Sequence, residues 1–177
     1  MQHSDHVGLL QDGIIPGTWA DLGSGTGAFT LALADLLGSS GTIYSIDRDG
    51  GALKEQERAM QSRFPSAKVE YHTADFTTKL TLPVLDGIVM ANALHFVPRN
   101  QQAAVLRQIR STLKPGGRLI LIEYNVDQGN AWVPYPLSHA TASKIAASAG
   151  FGEMQLLKTT PSRFLKEFYA ALCYNSQ

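Results

Sequence analysis

The stretch DLGSGTG, Asp21 to Gly27, decides how this chain is read. Glycines behind a short apolar run let backbone amides approach a ligand, because no Cβ stands in the way. The glycines alone leave the ligand open. Read as G-S-G-T-G-A, the turn also fits the loose dinucleotide fingerprint, so the surrounding residues have to choose.

Upstream, Thr18 to Gly23 (TWADLG) is a strand candidate that runs into the turn. Downstream, Phe29, Leu31, Leu33, Leu36 and Leu37 suit a helix that begins near Gly27 and stops at Gly38. Gly41 to Asp47 is a second strand, followed by the amphipathic run GALKEQERAMQSRF, which Pro65 stops. Lys68 to Asp75 reads as strand three and Val84 to Asn92 as strand four. NQQAAVLRQIRSTL is a helix with Val105, Leu106, Ile109 and Leu113 on one face. KPGG makes a turn into strand five, Arg118 to Tyr124, whose continuous apolar centre suits burial on both faces. After an irregular segment, SHATASKIAASAG forms a helix with Ser138 as N-cap and Gly150 as stop. EMQLLKT and RFLKEFYAALC, separated by Thr-Pro-Ser, make an antiparallel hairpin. Five β-α units and a hairpin imply a doubly wound α/β sheet, with ligands at the carboxyl ends of the strands.

The composition is globular, 44% apolar and 17% charged over 177 residues, and favours one domain. Lys plus Arg equals Asp plus Glu at 15 each, which argues against a non-specific nucleic-acid binder. Arg107, Arg110 and Lys114 read as a solvated helix face. One cysteine, Cys173, forms no intramolecular disulfide and no cysteine-based metal site; it suits a buried small hydrophobe. The N-terminus has no secretory pattern and no apolar run reaches the ~20 residues of a membrane span. The expectation is a soluble cytoplasmic protein without a membrane partner.

Charge sharpens the choice of ligand. A nicotinamide dinucleotide brings a doubly negative pyrophosphate to the turn. Asp21 would repel it, and the turn offers no Lys or Arg. S-adenosylmethionine has no phosphate, and its positive sulfonium and ammonium would be drawn to Asp21 directly or through water. Asp47, at the end of strand two, suits the ribose hydroxyls of either cofactor. Its alternative is a helix N-cap, for which Asp49 is the better candidate.

ADLGSGTG, YSID, TADF, LDGIVMANALHFV and LKPGGRLILIE follow one another in this order. In them the chain resembles the class I S-adenosylmethionine-dependent methyltransferases, from about Thr18 to Tyr124 and, through the hairpin, to the end. The resemblance implies a Rossmann-like seven-stranded sheet, mostly parallel with an antiparallel C-terminal hairpin strand, in a single domain over residues 1–177. It implies S-adenosylmethionine as cofactor, with Asp75 on the adenine amino group and the Phe76 amide on the ring. The cofactor-binding candidates are then Asp21, Leu22, Gly23, Ser24, Gly25, Gly27, Asp47, Arg48, Asp75, Phe76 and Asn92.

Methyl transfer from a sulfonium is an in-line displacement with a neutral leaving group. Positioning in a dry site supplies most of the catalysis, and a base helps only when the acceptor loses a proton. His95, just past strand four, and Tyr124 are the catalytic candidates. Glu123 and Tyr124 point to opposite sides of strand five, so at most one faces the pocket. Glu123, Trp132, Tyr135 and His139 are the acceptor-side candidates, with Trp132, Pro134, Tyr135 and Pro136 as an aromatic wall for a flat substrate or as cover for the sheet edge. Asn92-Ala-Leu-His95 departs from the Asn-Pro-Pro-Tyr of methylases acting on base amines or glutamine amides. NALHF is more similar to small-molecule methyltransferases of quinone, sterol and related type. With about thirteen residues between strand five and the last helix, there is little chain for a lid. Either the acceptor is small and partly exposed, or a second copy or another subunit completes the pocket. The alternatives are a cofactor-binding accessory protein without catalysis, an RNA or protein methylase, and a nicotinamide-dependent oxidoreductase.

Overall fold

The computed structural model describes residues 1–176. Strand β1 (Gly17–Leu22) buries Trp19, Ala20 and Leu22 and delivers the chain to the glycine turn. Helix α2 (Ala28–Leu37) starts there, with Gly27 as N-cap at φ +89°, and ends at Gly38. Strand β2 (Gly41–Asp47) and helix α3 (Gly50–Arg63) follow, Asp49 capping α3 by accepting from the amides of Gly51 and Ala52. Strand β3 (Lys68–Thr73) leads through residues 74–84 to β4 (Leu85–Ala91), then α4 (Arg99–Arg110), β5 (Leu113–Tyr124), α5 (His139–Ser148), β6 (Gln155–Pro161) and β7 (Glu167–Tyr174).

The strands form one sheet in the order β3-β2-β1-β4-β5-β7-β6, with β7 antiparallel to β5 and to β6. The order reverses between β1 and β4, and the carboxyl ends of these two strands open a crevice there. The core lies on both faces. Leu119 and Leu121 pack with Leu106 of α4 and Ala146 of α5 on one side, and Ile120 and Ile122 pack with Leu33 of α2 on the other. Among the described residues no helix is long and apolar enough to cross a membrane.

Four expectations need correction. No helix follows β3: residues 74–84 carry threonines and Pro83 rather than an apolar stripe, and Asp75 bends the chain by accepting from the Thr77 amide. KPGG turns inside β5 rather than before it. Leu85 pairs with Leu113 and Gly87 with Arg118, and the residues between bulge out at Gly116, φ +72°. Their backbone is satisfied by Asn175, which accepts from Gly116 and donates to Gly117. The hairpin loop is longer than Thr-Pro-Ser, since Thr160 and Pro161 belong to β6 and residues 162–166 make the connection. Finally, Lys114 lies on β5 rather than on the α4 face and pairs with Asp86 at 2.7 Å, while Arg107, exposed as expected, and half-buried Arg110 also hold carbonyls at the α5 end.

The sequence pattern also gave no sign of helix α1 (His3–Leu10). Its His6 ring meets Phe29 edge-on at 4.8 Å, and His3 bonds Asp35 at 3.0 Å. Helix α2 is therefore enclosed between α1 and the sheet.

Close packing at β1 and β4 gives a stability test. Trp19 is fully buried beside its register partner Gly87, where a Cβ would stand 2.3–2.5 Å from three atoms of the indole. Gly87→Ala should cost about 1–3 kcal/mol through overpacking, read as a lower urea midpoint at unchanged m. A midpoint equal to wild type would show that the indole has room to move.

Candidate active site

The glycine turn is held from below. The amides of Gly23 and Ser24 donate to the Ile46 carbonyl, at 2.8 and 3.1 Å. Ser45 Oγ donates to Gln56 Oε1 and shares a 2.8 Å hydrogen bond with Ser24 Oγ. Gly27 lies against the Gln56 side chain, where a Cβ would come within 2.3 Å of Cγ. The turn opens upward at Gly25, φ +54°, around whose missing Cβ nothing stands within 4 Å.

Above it lies a cavity of about 380 Å³, lined along β1, β2, β3 and β4 by Gly23, Gly25, Asp47, Arg48, Asp75, Phe76 and Asn92 among others. These residues come from the carboxyl ends of four strands, as the switch point requires. Asp47 Oδ2 accepts from the Gly25 amide and Oδ1 from the Asp49 amide, each at 2.8 Å. Asp75 Oδ1 accepts from the hydroxyl and the amide of Thr77, and these bonds hold its carboxyl below the usual range. Asn92 sits at φ +52°, and its Oδ1 is buried without a protein partner. With Asp47, Asp49 and Asp75 against the single guanidinium of Arg48, the cavity favours a cation over a pyrophosphate.

Thr26 of the turn also lines this cavity, whereas Asp21, Leu22, Ser24 and Gly27 do not. Leu22 is core, Ser24 is held by Ser45 beneath the turn, and Gly27 caps α2. Asp21 also lies behind the turn, 1% exposed, accepting from the Thr30 hydroxyl at 2.6 Å. The charge preference first read from Asp21 is thus carried at the cavity surface by the aspartates after β2 and β3.

Burial pushes the Asp21 carboxyl up to about 7 from 3.8, against the Thr30 hydrogen bond. A folded value above the unfolded one means that stability is fully present below about pH 4 and is lost as pH rises through about 7. Asp21→Asn should match wild type near pH 4 and exceed it by on the order of 2 kcal/mol near pH 8. Parallel urea melts at the two pH values check this; a pH-independent difference would contradict it.

Beside the cavity, a 3-10 turn (Leu94–Phe96) places His95 inward, 2% exposed, and Phe96 outward into the cavity wall. His95 Nδ1 lies 2.6 Å from Glu123 Oε2, and Glu123 Oε1 accepts from the His95 amide at 3.2 Å. Glu123, fully buried, thus holds both the backbone and the ring of His95. Tyr124 is half-buried, its ring 6.1 Å from that of His95 and 4.3 Å from that of Phe168. Burial, with Glu123 nearby, raises its phenol, so it stays an O–H donor at neutral pH.

The acceptor-side candidates divide. Glu123 joins His95. The Tyr135 amide donates to the His95 carbonyl at 3.0 Å, while Trp132 stands 75% exposed on an Asn130 turn. The His139 ring is edge-on at 5.6 Å to buried Tyr169, the register partner of Glu123 on β7. Gln102, which the sequence reading passed over, is buried and donates to the carbonyls of Val97 and Tyr135, tying the His95 turn to the segment after β5.

Comparison with known proteins places this geometry in a family. A methyltransferase-domain family model matches residues 20–117. The ubiquinone/menaquinone biosynthesis C-methyltransferase of Azotobacter vinelandii is 35% identical over 107 residues, covering 59% of this chain and 41% of that protein. The chain spans about two fifths of the length of the curated relatives it matches. Among solved structures, a putative O-methyltransferase from Nostoc punctiforme has a TM-score of 0.79 at 17% identity, covering 98% of this chain and 56% of that one. The magnesium protoporphyrin IX methyltransferase of Synechocystis, solved with S-adenosylmethionine bound, has a TM-score of 0.73 at 21% identity, over 98% and 77%. These two likenesses show a shared fold. The family match covers more than half of the chain, and the chain belongs to the methyltransferase domain family.

Proposed function

We propose that the chain binds S-adenosylmethionine in the cavity above the glycine turn and transfers its methyl group to a small organic acceptor. The observation that carries this reading is a glycine cradle opening on a cavity rimmed by Asp47, Asp49 and Asp75. Gly25 leaves room for close approach, and the partnerless Asn92 Oδ1 suits an ammonium donor. Asp47 would hold the ribose, and Asp75 with the Phe76 amide the adenine. The cofactor supplies an electrophilic methyl carbon. Its sulfur would leave as a neutral thioether, so this chain's residues have only to orient the acceptor and take up its proton.

His95 is the proposed proton acceptor. With Nδ1 donating to Glu123, Nε2 is the basic nitrogen. His95 is 2% exposed behind Phe96, whose ring is 4.3 Å from the imidazole, so that ring would have to move aside for an acceptor to reach Nε2. Phe96 and Trp132 are left 55% and 75% exposed, which suits a pocket completed by a second copy or another subunit.

Calorimetry with S-adenosylmethionine and with NADH tests the cofactor; binding of NADH alone would overturn the proposal. Methyl-label transfer from the cofactor into a fractionated cell extract then finds the acceptor. With that acceptor, His95→Gln should lower turnover by about 10²–10⁴-fold, with cofactor affinity unchanged. Full turnover would leave His95 a packing residue.

A further inference from the structure

The far edge of the sheet carries another cavity, of about 150 Å³, which shares no lining residue with the cofactor cavity. Strand β3 ends the strand order, so no strand lies beyond it. Helix α3 runs above that edge. Glu57, Met60 and Gln61 recur at helical spacing, Phe64 continues the stripe, and together they line one side of the cavity. Val69 and Tyr71, two positions apart on β3, share a face of the strand and line the other.

The lining is apolar except at one end. Met60 is 3% exposed in the core, with Phe64, Ala67 and Val69 packed against it. Glu57 is the single charged residue that lines the cavity, and no Lys, Arg or His among the described residues pairs with it. Burial, and then the Glu57 charge, push the Tyr71 phenol up to about 12, so Tyr71 stays a neutral ring. The negative face of a neutral ring beside an unpaired carboxylate attracts a cation. The C-terminal end of α3 adds the negative pole of its dipole. The Phe64 ring already has the Arg63 guanidinium 5.5 Å from its centroid and the His3 ring at 5.9 Å, so it offers a wall to an apolar stem rather than a second seat for charge.

We propose that this cavity binds an alkylammonium ion, with its stem on Met60, Phe64 and Val69 and its head between Glu57 and Tyr71. One carboxylate supplies too few ligands for a metal ion, and no group of His, Cys, Asp and Glu among the described residues could hold one, so the cation is organic. Size sets the rest: at about 150 Å³ the cavity is half of a small ligand pocket of about 300 Å³, which suits a single amine-tipped chain. A free alkylamine and the lysine side chain of another protein share this chemistry. The site stands apart from methyl transfer and does not depend on it.

The test is a titration followed by isotope-labelled methionine methyl groups. n-Butylamine, an ammonium ion at neutral pH, should move the Met60 resonance and leave those of Met90 and Met154, in the other core cluster, in place. 1-Butanol, of the same length but uncharged, should bind about 5- to 20-fold more weakly. Glu57→Gln should weaken butylamine about 2- to 5-fold. Tyr71→Leu should do the same by about 2- to 5-fold, and Tyr71→Phe should match wild type. S-adenosylmethionine affinity should be the same in all three variants. Nα-acetyl-lysine N-methylamide separates the two sources. Tighter binding than butylamine, through the open backbone edge of β3, assigns the site to a protein's lysine; equal or weaker binding assigns it to a free amine. An unmoved Met60 resonance, equal affinity for butylamine and butanol, or full affinity in Glu57→Gln would overturn the site.

Discussion

Asp47→Ala is expected to weaken S-adenosylmethionine by roughly 5- to 150-fold, the equivalent of about 1–3 kcal/mol of charge-assisted hydrogen bonding. Two losses combine. The ribose hydroxyls would lose their carboxylate acceptor. The Gly25 amide would lose the 2.8 Å bond that holds the middle of the glycine turn, and the Asp49 amide would lose its own. Asp47→Asn separates them, because its remaining oxygen can keep one backbone bond while the charge is gone. Calorimetry on the two variants should rank wild type above Asn and Asn above Ala. Unchanged affinity in the alanine variant would remove Asp47 from the cofactor site.

Glu123→Ala should be the most damaging single change to the fold around the site. It removes the partner of both the His95 imidazole and the His95 amide in a region closed to water, where Glu123 and His95 are 0% and 2% exposed. Truncating one member of such a buried pair costs about 3–5 kcal/mol. For a chain of this size that is a fall in Tm of roughly 6–20 °C. Glu123→Gln retains an oxygen and should recover much of the loss. A scanning melt of the alanine variant within about 2 °C of wild type would mean that water or a rearranged side chain replaces the carboxylate.

Much of the fold was legible because α2 and α3 announce themselves by period and by a stop at Gly38 or Pro65, and α4 by its period, although α4 ends at Arg110 and Leu113, read as part of its apolar face, opens β5. What escaped was non-local. Helix α2 is apolar around most of its circumference, with Phe29, Leu31, Leu33, Ala34 and Leu37 all buried. A helix apolar on all sides needs cover on its outer face as well, and α1 is that cover. The same holds for two glutamines. Gln56 falls between Leu53 and Met60 on the buried stripe of α3, and Gln102 precedes Val105, Leu106 and Ile109 on that of α4. A polar residue in an apolar stripe has to find partners. Gln56 Oε1 finds one under the glycine turn and Gln102 Nε2 finds carbonyls under the His95 turn, while the other amide atom of each is buried without a partner. Asp21 escaped differently: the sequence shows its charge but not that Thr30, nine positions on, turns it away from the cavity.

Strand β7 lies between β5 and β6 although it follows both in the chain. During synthesis β5 therefore waits with an open edge while residues 125 to 166 are made, a delay of roughly 2–9 s at ribosomal speeds. Ile120, Leu121 and Ile122 stand on that edge strand, the profile of a segment that recruits other chains when left unpaired. The nascent chain should thus be most dependent on holdase chaperones between completion of β5 and arrival of β7, after the glycine turn has already emerged.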